Sequence, residues 1–317
     1  MEKPEILIIT GPTASGKEAA AVRVCEMLSG EIVSADSMKV YRGMDVGTAK
    51  PTEDVRRRVR HHLIDVLEPW ESFSVGKYVQ LADEAIKDIG GRGHVPIVSG
   101  GTPLYIKALV EGLFEGPSAD WDLRHRLRAQ AEAEGTAALH RRLGKVDPEA
   151  AVRIHENDLR RIVRALEVYE KTGEPISAQQ QEFGRPEKRY GTLMVGIRRD
   201  RGDLYERIER RVDRMVAEGF EAEVRRLVSL ERPLSREAKQ ALGYGEMIQW
   251  MRDGGDLDET IELIRRRTRQ FAKRQLTWLR RFDDLVWISA GTETGPEEIA
   301  EEIVRHWQAG SEKPRDR

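Results

Sequence analysis

Short apolar runs alternate with amphipathic stretches along the first third of the chain. This alternation is typical of strands and helices that follow one another in a parallel α/β sheet. Six runs have the length and apolar character of buried strands: Ile6–Thr10, Glu31–Ala35, His62–Val66, Val95–Ser99, Leu193–Ile197 and Leu285–Ile288. The pattern therefore predicts an α/β fold, with a parallel sheet flanked by helices.

The clearest predicted helix lies between the third and fourth runs. Its apolar residues recur at three- and four-residue spacing, at Val75, Tyr78, Ala82, Ile86 and Ile89. Ser74 is a favourable residue for the N-cap, and Gly90-Gly91 favours termination. A single helix therefore connects these two strands.

The middle of the chain has a different pattern. From Gly116 to Arg189 it contains no convincing strand and is rich in Arg, Ala, Glu and Leu. We therefore expect an all-helical insertion at 116–189, between two parts of a core at 1–115 and 190–308. The polar residues 309–317 are expected to be a disordered tail.

A phosphate-binding loop follows the first predicted strand. The pattern G-x-x-x-x-G-K, between a strand and a helix, forms an anion cradle from backbone N–H groups and a helix N-terminus. Lys17 is placed to neutralise a diphosphate. The candidate binding residues are Gly11, Pro12, Thr13, Ala14, Ser15, Gly16, Lys17 and Glu18.

Glu18 breaks the rule of this loop at its last position. A Ser or Thr is expected there, because its hydroxyl ligates the Mg²⁺ held against the phosphates. A carboxylate about 4 Å from a phosphate oxygen would cost about 4 kcal/mol at an effective dielectric constant near 20. We therefore expect Glu18 either to hold the metal directly or to turn away from the diphosphate.

Two further polar segments follow predicted strands. Asp36-Ser37 follows the second strand, and Gly100-Gly101-Thr102 follows the fourth. Ligands of open parallel sheets bind beyond the carboxyl ends of the strands, so both segments should converge on the phosphate loop. Asp36 could ligate Mg²⁺ through water, accept a proton or make a local turn. Thr102 could approach a ligand, cap the next helix or do both.

Composition bounds the cellular setting. The 53 Lys and Arg nearly cancel the 55 Asp and Glu, so net charge does not indicate nucleic-acid binding. The single cysteine, Cys25, is most simply a core residue in a reducing compartment. We find no secretion signal and no apolar run long enough to span a membrane, and we expect a soluble cytoplasmic protein. A single active site per chain needs no partner subunit, so we expect a monomer.

The local clustering of positive charge, by contrast, indicates a surface that binds a polyanion. The segment Arg265–Arg281 contains eight Lys and Arg and no acidic residue. The remaining surface of the helix should present cations, while one stripe should pack inward. That stripe consists of Ile261, Ile264, Thr268, Phe271, Gln275, Leu279 and Phe282. A second basic cluster, Arg160-Arg161 with Arg164, lies in the predicted insertion.

Longer motifs occur in a fixed order from Ile6 to about Ile288. Besides the phosphate loop they are Asp36–Pro51, His61–Asp65, Gly100–Tyr105, Asn157–Glu167 and Arg269–Trp278. In these motifs the chain resembles the tRNA dimethylallyltransferase (isopentenyltransferase) family. The Asp36–Pro51 block is much more specific than the phosphate loop alone.

The resemblance implies an activity and a site. The family transfers a dimethylallyl group from its diphosphate to N6 of the adenosine 3′ of the tRNA anticodon, with Mg²⁺. Partners would be the tRNA anticodon stem-loop and dimethylallyl diphosphate, which enter opposite ends of a channel. Asp36 matches the general base, Lys17 would stabilise the leaving diphosphate, and Thr102 lies at the tRNA end. Matched tRNA-contacting positions are Asp36, Ser37, Met38, Lys39, Thr102, Arg124, Arg160, Arg161, Ile162, Val163, Arg164, Gln240, Gly243 and Tyr244.

Three positions depart from the family pattern. Glu18 replaces the hydroxyl residue, Lys39 stands where Gln is usual, and Gly245 stands where Lys or Arg is common. These departures leave open a tRNA-binding paralog with reduced catalysis. A phosphate-loop kinase that uses ATP is a further alternative, although the Asp36–Pro51 block and the basic helix argue against it.

Overall fold

The computed structural model describes residues 5–112, 116–179 and 188–311. Its centre is a parallel sheet of six strands in the order β3-β2-β4-β1-β5-β6. The strands are β1 Glu5–Thr10, β2 Gly30–Ser34, β3 His61–His62, β4 Val95–Gly100, β5 Gly191–Arg199 and β6 Leu285–Ala290. The predicted α/β class and the parallel sheet are confirmed.

Only the third strand departs clearly from its predicted extent. The apolar run at His62–Val66 gives a strand of two residues, His61–His62, paired with Ile32 and Val33. Leu63 and Asp65 then have positive φ angles of 62° and 56°. Positive φ is incompatible with an extended strand, so the chain turns away from the sheet at Leu63.

Helices cover the sheet on both faces. In the unit that contains the sheet they are α1 Lys17–Leu28, α2 Glu53–Arg58, α3 Val75–Gly91, α4 Pro103–Glu111, α10 Arg201–Ala217, α11 Phe220–Val228, α12 Arg236–Lys239, α13 Tyr244–Asp253, α14 Leu257–Leu279 and α15 Pro296–Ser311. As predicted, α3 begins after Ser74, whose side chain accepts a hydrogen bond from the Lys77 amide.

Both faces of the central strand are buried. Ile6 and Ile8 belong to one apolar core, whereas Leu7 and Ile9 belong to the core on the other face. Successive side chains of a strand point to opposite faces, so a continuous apolar run suits a strand covered on both sides. Cys25 lies in the second core and is buried, as predicted.

A second compact unit interrupts the first. One unit takes the residues up to Val110 and from Arg189 onward, and the other is Glu111–Lys188. The helices of the second unit are α5 Trp121–Glu134, α6 Thr136–Val146, α7 Pro148–Arg153, α8 Leu159–Thr172 and α9 Ile176–Gln179. Its own apolar core includes Leu127, Leu139 and Leu166.

The end of the chain is only partly as predicted. Helix α15 continues to Ser311, so residues 309–311 are helical rather than part of a disordered tail. Residues 312–317 lie outside the described residues. No helix in the described part of the chain has the length and apolar character to cross a membrane.

An ionic cluster surrounds Glu31, near the N-terminal end of β2. Glu31 is buried and accepts a hydrogen bond of 2.8 Å from Nη2 of Arg92. The ring Nε2 of His62 lies 2.7 Å from the same carboxylate. Hydrogen bonds from Arg92 lower the pKa of Glu31 to about 2, against the opposing effect of burial. This carboxylate therefore stays ionised in the folded protein.

Candidate active site

The phosphate loop is a strained turn between β1 and α1. Gly11, Ala14 and Gly16 have positive φ angles of 152°, 63° and 96°. A Cβ on Gly11 would lie 2.7 Å from the carbonyl oxygen of Ile197, so only glycine fits there. The loop thus has the predicted form of a backbone cradle at the start of a helix.

Lys17 lies at the base of this loop. Its side chain is buried, and Nζ donates to the Pro12 carbonyl at 3.2 Å. Burial lowers the pKa of Lys17 to about 8, although the nearby Glu18 carboxylate acts in the opposite direction. A buried ammonium group with this environment gains stabilisation when an anionic ligand arrives.

Three arginines hold the loop from the other half of the sheet unit. Arg199 Nε donates to the Ser15 carbonyl at 2.8 Å, and Arg207 Nε donates to the Ala14 carbonyl at 3.0 Å. Arg211 Nη1 lies 3.0 Å from Thr13 Oγ1. No sequence motif predicted these residues, because they lie far from the loop in the chain. The positions 207 and 211 share one face of α10, which is the signal that could have found them.

Gln275 joins the phosphate loop to the loop after β4. Its Oε1 accepts from the Thr13 amide at 2.8 Å, and its Nε2 donates to the Gly101 carbonyl at 2.5 Å. A Cβ on Gly101 would lie 2.5 Å from that nitrogen, so glycine makes room for the amide. Gln275 was predicted only as part of a buried stripe, yet it sets the position of both loops.

Asp36 and Thr102 lie together, as the strand order predicts. Asp36 Oδ1 accepts from the Met38 amide at 2.8 Å and from the Lys39 amide at 3.3 Å. Thr102 Oγ1 accepts from the Ser37 amide at 3.3 Å. The expected local turn of Asp36 is therefore present, and it fixes one oxygen. Within the described residues, Oδ2 has no hydrogen-bond donor.

Glu223 organises the segment that follows. Its carboxylate accepts from the amides of Asp45, Val46 and Gly47 at 2.8, 2.8 and 3.1 Å. The hydroxyl of Tyr244 donates to the same carboxylate at 2.6 Å. Burial raises the pKa of Tyr244, so its hydroxyl keeps the proton that it donates. This network positions the specific block that begins at Asp36, although no sequence motif predicted a role for Glu223.

These elements surround one cavity of about 940 Å³. Its lining includes Lys17, Asp36 and Thr102. Cations outnumber carboxylates on its walls: Lys17, Lys39, Arg207, Arg210, Arg211, Arg214, Arg267 and Arg274 face Glu18, Asp36 and Glu246. A concave site with this charge balance suits a polyanionic ligand.

Comparison with known proteins decides the family. The IPP transferase model matches residues 39–282, and an isopentenyl transferase model matches residues 4–69. A tRNA dimethylallyltransferase of Geobacter metallireducens is 48% identical over 287 residues, which are 90% of this chain and 93% of that protein. The chain belongs to the IPP transferase family.

Solved structures agree with this assignment to the IPP transferases. The tRNA isopentenylpyrophosphate transferase of Bacillus halodurans has a TM-score of 0.71 and 40% identity, over 97% of this chain and 96% of that chain. A eukaryotic dimethylallyltransferase, solved acting on tRNA, has a TM-score of 0.81 and 26% identity, over 99% and 81% of the two chains. The family predicted from the motifs is therefore confirmed.

The remaining predicted positions of the sheet unit fall into two groups. Ser37, Met38, Lys39 and Gln240 line the cavity. Gly243 and Tyr244 are buried; Tyr244 also lines the cavity and packs edge-on against Phe220 at a centroid distance of 5.0 Å. Gly243 has a φ of 88°, which begins helix α13. The latter two residues shape the wall, and contact with a ligand there stays a prediction.

The predicted tRNA positions of the insertion also differ among themselves. Arg124 Nη2 and Arg164 Nη1 lie 2.8 and 2.6 Å from the fully buried Glu167 carboxylate. Arg160 and Arg161 are exposed on α8. Ile162 and Val163 are in the apolar core of this unit, so their side chains stabilise the helix that presents the two arginines.

The basic helix α14 packs one residue differently from the prediction. Ile261, Ile264, Thr268, Gln275 and Leu279 are buried as expected, but Phe271 is 37% exposed. Ala272 takes its place in the buried stripe, because spacings of four, three and four residues follow the helix more closely from Thr268. Phe271 instead lines the cavity.

Part of the basic face of α14 is neutralised. Arg265 pairs with Asp213, Arg267 with Glu246 and Arg269 with Glu209. The exposed cations of this segment that show no ion pair in the described part of the chain are Arg266, Lys273, Arg274, Arg280 and Arg281. They form a narrower cationic surface than the sequence indicated.

The side chains near the phosphate loop offer few ligands for a metal ion. Glu18 Oε1 lies 3.1 Å from Lys39 Nζ, so an ammonium group already neutralises the predicted ligand. No cluster of three His, Cys, Asp or Glu able to hold a metal ion occurs among the described residues. The residues fit an Mg²⁺ held chiefly by substrate phosphates and water, which is usual for this ion. They do not fit direct coordination by Glu18 while Lys39 holds its carboxylate.

Proposed function

We propose that this IPP transferase moves the dimethylallyl group of dimethylallyl diphosphate to N6 of the adenosine 3′ of a tRNA anticodon. The observation that carries the proposal is the meeting of Lys17, Asp36 and Thr102 in one cationic cavity. The names of the relatives, tRNA dimethylallyltransferases, support the same substrates.

The reaction forms one bond and breaks another. The N6 nitrogen attacks C1 of the allylic group while the bond from C1 to the diphosphate oxygen breaks. The N6 lone pair is delocalised into the adenine ring, so removal of an N6 hydrogen helps as the new bond forms. Asp36 accepts that proton in this proposal, through the oxygen that its turn leaves without a donor.

Charge on the departing diphosphate is the second requirement. Lys17 and Arg211 lie at the phosphate loop, and the loop amides complete the cradle. Fixed cations and dipoles aimed at developing charge give much of the acceleration in such sites. Arg199, Arg207 and Gln275 keep the loop in the shape that this requires.

Mg²⁺ is part of this proposal in a limited way. It would arrive with the diphosphate and supply further neutralisation of the leaving group. Asp36 is the carboxylate that could hold it through water. Direct ligation by Glu18 stays a prediction, to be tested against the ion pair with Lys39.

Cytoplasmic location, action as a monomer and recognition of the anticodon stem-loop also stay proposals. The adenine must leave its stack to enter the cavity, at a cost of a few kcal/mol. Phe271 with Arg274, whose guanidinium carbon lies 5.9 Å from the ring centroid, supplies a surface on which a base can stack. The exposed arginines of α8 supply a second basic surface.

One assay separates the candidate functions. The full chain is incubated with labelled dimethylallyl diphosphate and Mg²⁺, together with undermodified tRNA or free adenine nucleotides. Label in tRNA supports the proposal. Binding of tRNA without transfer would show a paralog with lost catalysis, and phosphate transfer from labelled ATP to a small molecule would show a kinase.

A further inference from the structure

Two departures from the family pattern are paired with each other. Lys39 Nζ lies 3.1 Å from Glu18 Oε1, although most of α1 and all of β2 separate the residues in the chain. Both line the same cavity as Lys17. The two changes of residue type therefore meet at one place, beside the phosphate loop.

Lys39 is held there rather firmly. Its side chain is 4% exposed, whereas that of Glu18 is 38% exposed. The Lys39 amide donates to Asp36 Oδ1 at 3.3 Å, so the turn at Asp36 fixes the backbone. A buried ammonium group needs an anionic partner, and the Glu18 carboxylate provides one.

Glu18 occupies a position that favours negative charge. It lies in the first turn of α1, where the partial positive charge of the helix N-terminus stabilises anions. The ammonium groups of Lys39 and Lys17 hold the pKa of Glu18 below its usual value, against the effect of burial. Its carboxylate thus interacts with the same positive charges that would stabilise a bound phosphate.

The charges around this pair favour the binding of an anion with more negative charge than one carboxylate. Lys39 and Arg211 both act on Lys17 as neighbouring positive charges, and Glu18 and Asp36 oppose them. A diphosphate brings more negative charge to this point than one carboxylate does. It can therefore compete with Glu18 for the ammonium group of Lys39.

We propose that Lys39 is a second diphosphate-binding lysine, held beside the phosphate loop by Glu18 until the ligand arrives. The Glu18 and Lys39 pair replaces the hydroxyl and amide of the family pattern and lets protein cations support diphosphate binding when Mg²⁺ is scarce. The inference rests on the proposed function in taking a diphosphate as the ligand of this loop.

The test measures binding of inorganic pyrophosphate to the full chain by calorimetry, with EDTA or with Mg²⁺. Wild type should bind in both conditions. Lys39→Gln should weaken binding about 10- to 100-fold in EDTA, the value of one charge-assisted hydrogen bond, and clearly less in Mg²⁺. Lys39→Arg should retain most of the affinity. Equal affinity of wild type and Lys39→Gln in EDTA would overturn the proposal.

Glu18→Gln distinguishes this role from metal ligation. Loss of a repelling carboxylate should leave pyrophosphate affinity in EDTA equal or higher. A loss of affinity that occurs only in Mg²⁺ would identify Glu18 as a metal ligand and overturn the proposal. The double variant Glu18→Thr with Lys39→Gln removes both charges, and its binding should depend on Mg²⁺ more than that of wild type.

Lys50→Gln is the matched control. The side chain of Lys50 is 3% exposed and paired with Asp45 and Asp65, but it does not line the cavity. It should leave pyrophosphate affinity unchanged, and thermal melting checks that each variant folds. Prenyl transfer by wild type is measured separately. If wild type transfers the prenyl group but Lys39→Gln has unchanged pyrophosphate affinity, this inference is rejected and the proposed function stands.

Discussion

Gln275 Oε1 accepts a hydrogen bond of 2.8 Å from the amide of Thr13, across most of the length of the chain. The side chain is 5% exposed, and its other end bonds to Gly101. A residue of the basic helix thereby fixes the distance between the phosphate loop and the loop that carries Thr102. In the proposed reaction, the leaving group at the first loop and the nucleophile near the second would both depend on this support.

We expect Gln275→Ala to lower kcat/KM for prenyl transfer by about 10- to 100-fold, because small displacements of reacting groups have effects of this size. Gln249→Ala, at an exposed position of α13, is the control and should retain full activity. Steady-state kinetics with saturating tRNA measures both. Unchanged kinetics in Gln275→Ala would show that the bridge does not set the loop geometry.

Asp36→Asn should lower kcat by about 100- to 10,000-fold, the usual contribution of a general base. An asparagine Oδ1 can still accept from the Met38 amide, so the turn and the affinity for tRNA should survive. Filter binding of tRNA and single-turnover transfer separate the two effects. Substantial transfer by this variant would remove Asp36 from the role of base.

Tyr244→Phe should destabilise the protein by about 1–3 kcal/mol, because the buried carboxylate of Glu223 loses a donor. Tyr78→Phe is a closely matched control. Tyr78 is also fully buried, but its hydroxyl has no hydrogen-bond partner in the described part of the chain. Urea unfolding should therefore show a loss for the first variant and little change for the second. Equal losses would contradict the network around Glu223.

Glu31 should contribute to stability in a defined range of pH. Its pKa is lowered from 4.5 to about 2 in the folded protein, so its contribution is complete above pH 4.5. As pH falls from there towards 2, the unfolded chain takes up the proton first and stability is lost, by about 3 kcal/mol at most.

Glu31→Gln should remove this part of the pH dependence. The free energy of unfolding, measured in urea between pH 5 and pH 3, should then fall less steeply than in wild type. Glu221→Gln, which removes an exposed pair with Arg225, is the comparison and should keep the wild-type slope. A wild-type slope in Glu31→Gln would show that other groups govern the acid response.

The local features were predictable because neighbouring residues determine them. The continuous apolar run Ile6–Ile9 predicts a strand buried on both faces, and a strand followed by a glycine-rich loop predicts a phosphate cradle. Ser74 caps α3 through an amide three residues away. The placing of Asp36 near Thr102 also followed, because parallel strands end at the same edge of a sheet.

Other features were decided only by the tertiary structure. The turn at Leu63 shortened β3, and packing of α14 exchanged Phe271 for Ala272. Arg199 and Arg211 reach the phosphate loop from the far half of the sheet unit. The sequence pattern places Arg199 at the end of a strand and Arg211 on one face of a helix, but it does not show which distant loop each long side chain reaches.

Glu18 and Lys39 show the difference most directly. They are two of the three departures from the family pattern that the sequence showed, and the sequence left open whether Glu18 holds a metal or turns away from the diphosphate. Only the tertiary structure showed that the two residues form an ion pair, because it brings a carboxylate and a buried ammonium group to 3.1 Å. The electrostatic effect of a charged residue depends on the charges that folding places beside it, and those neighbours need not be adjacent in the chain.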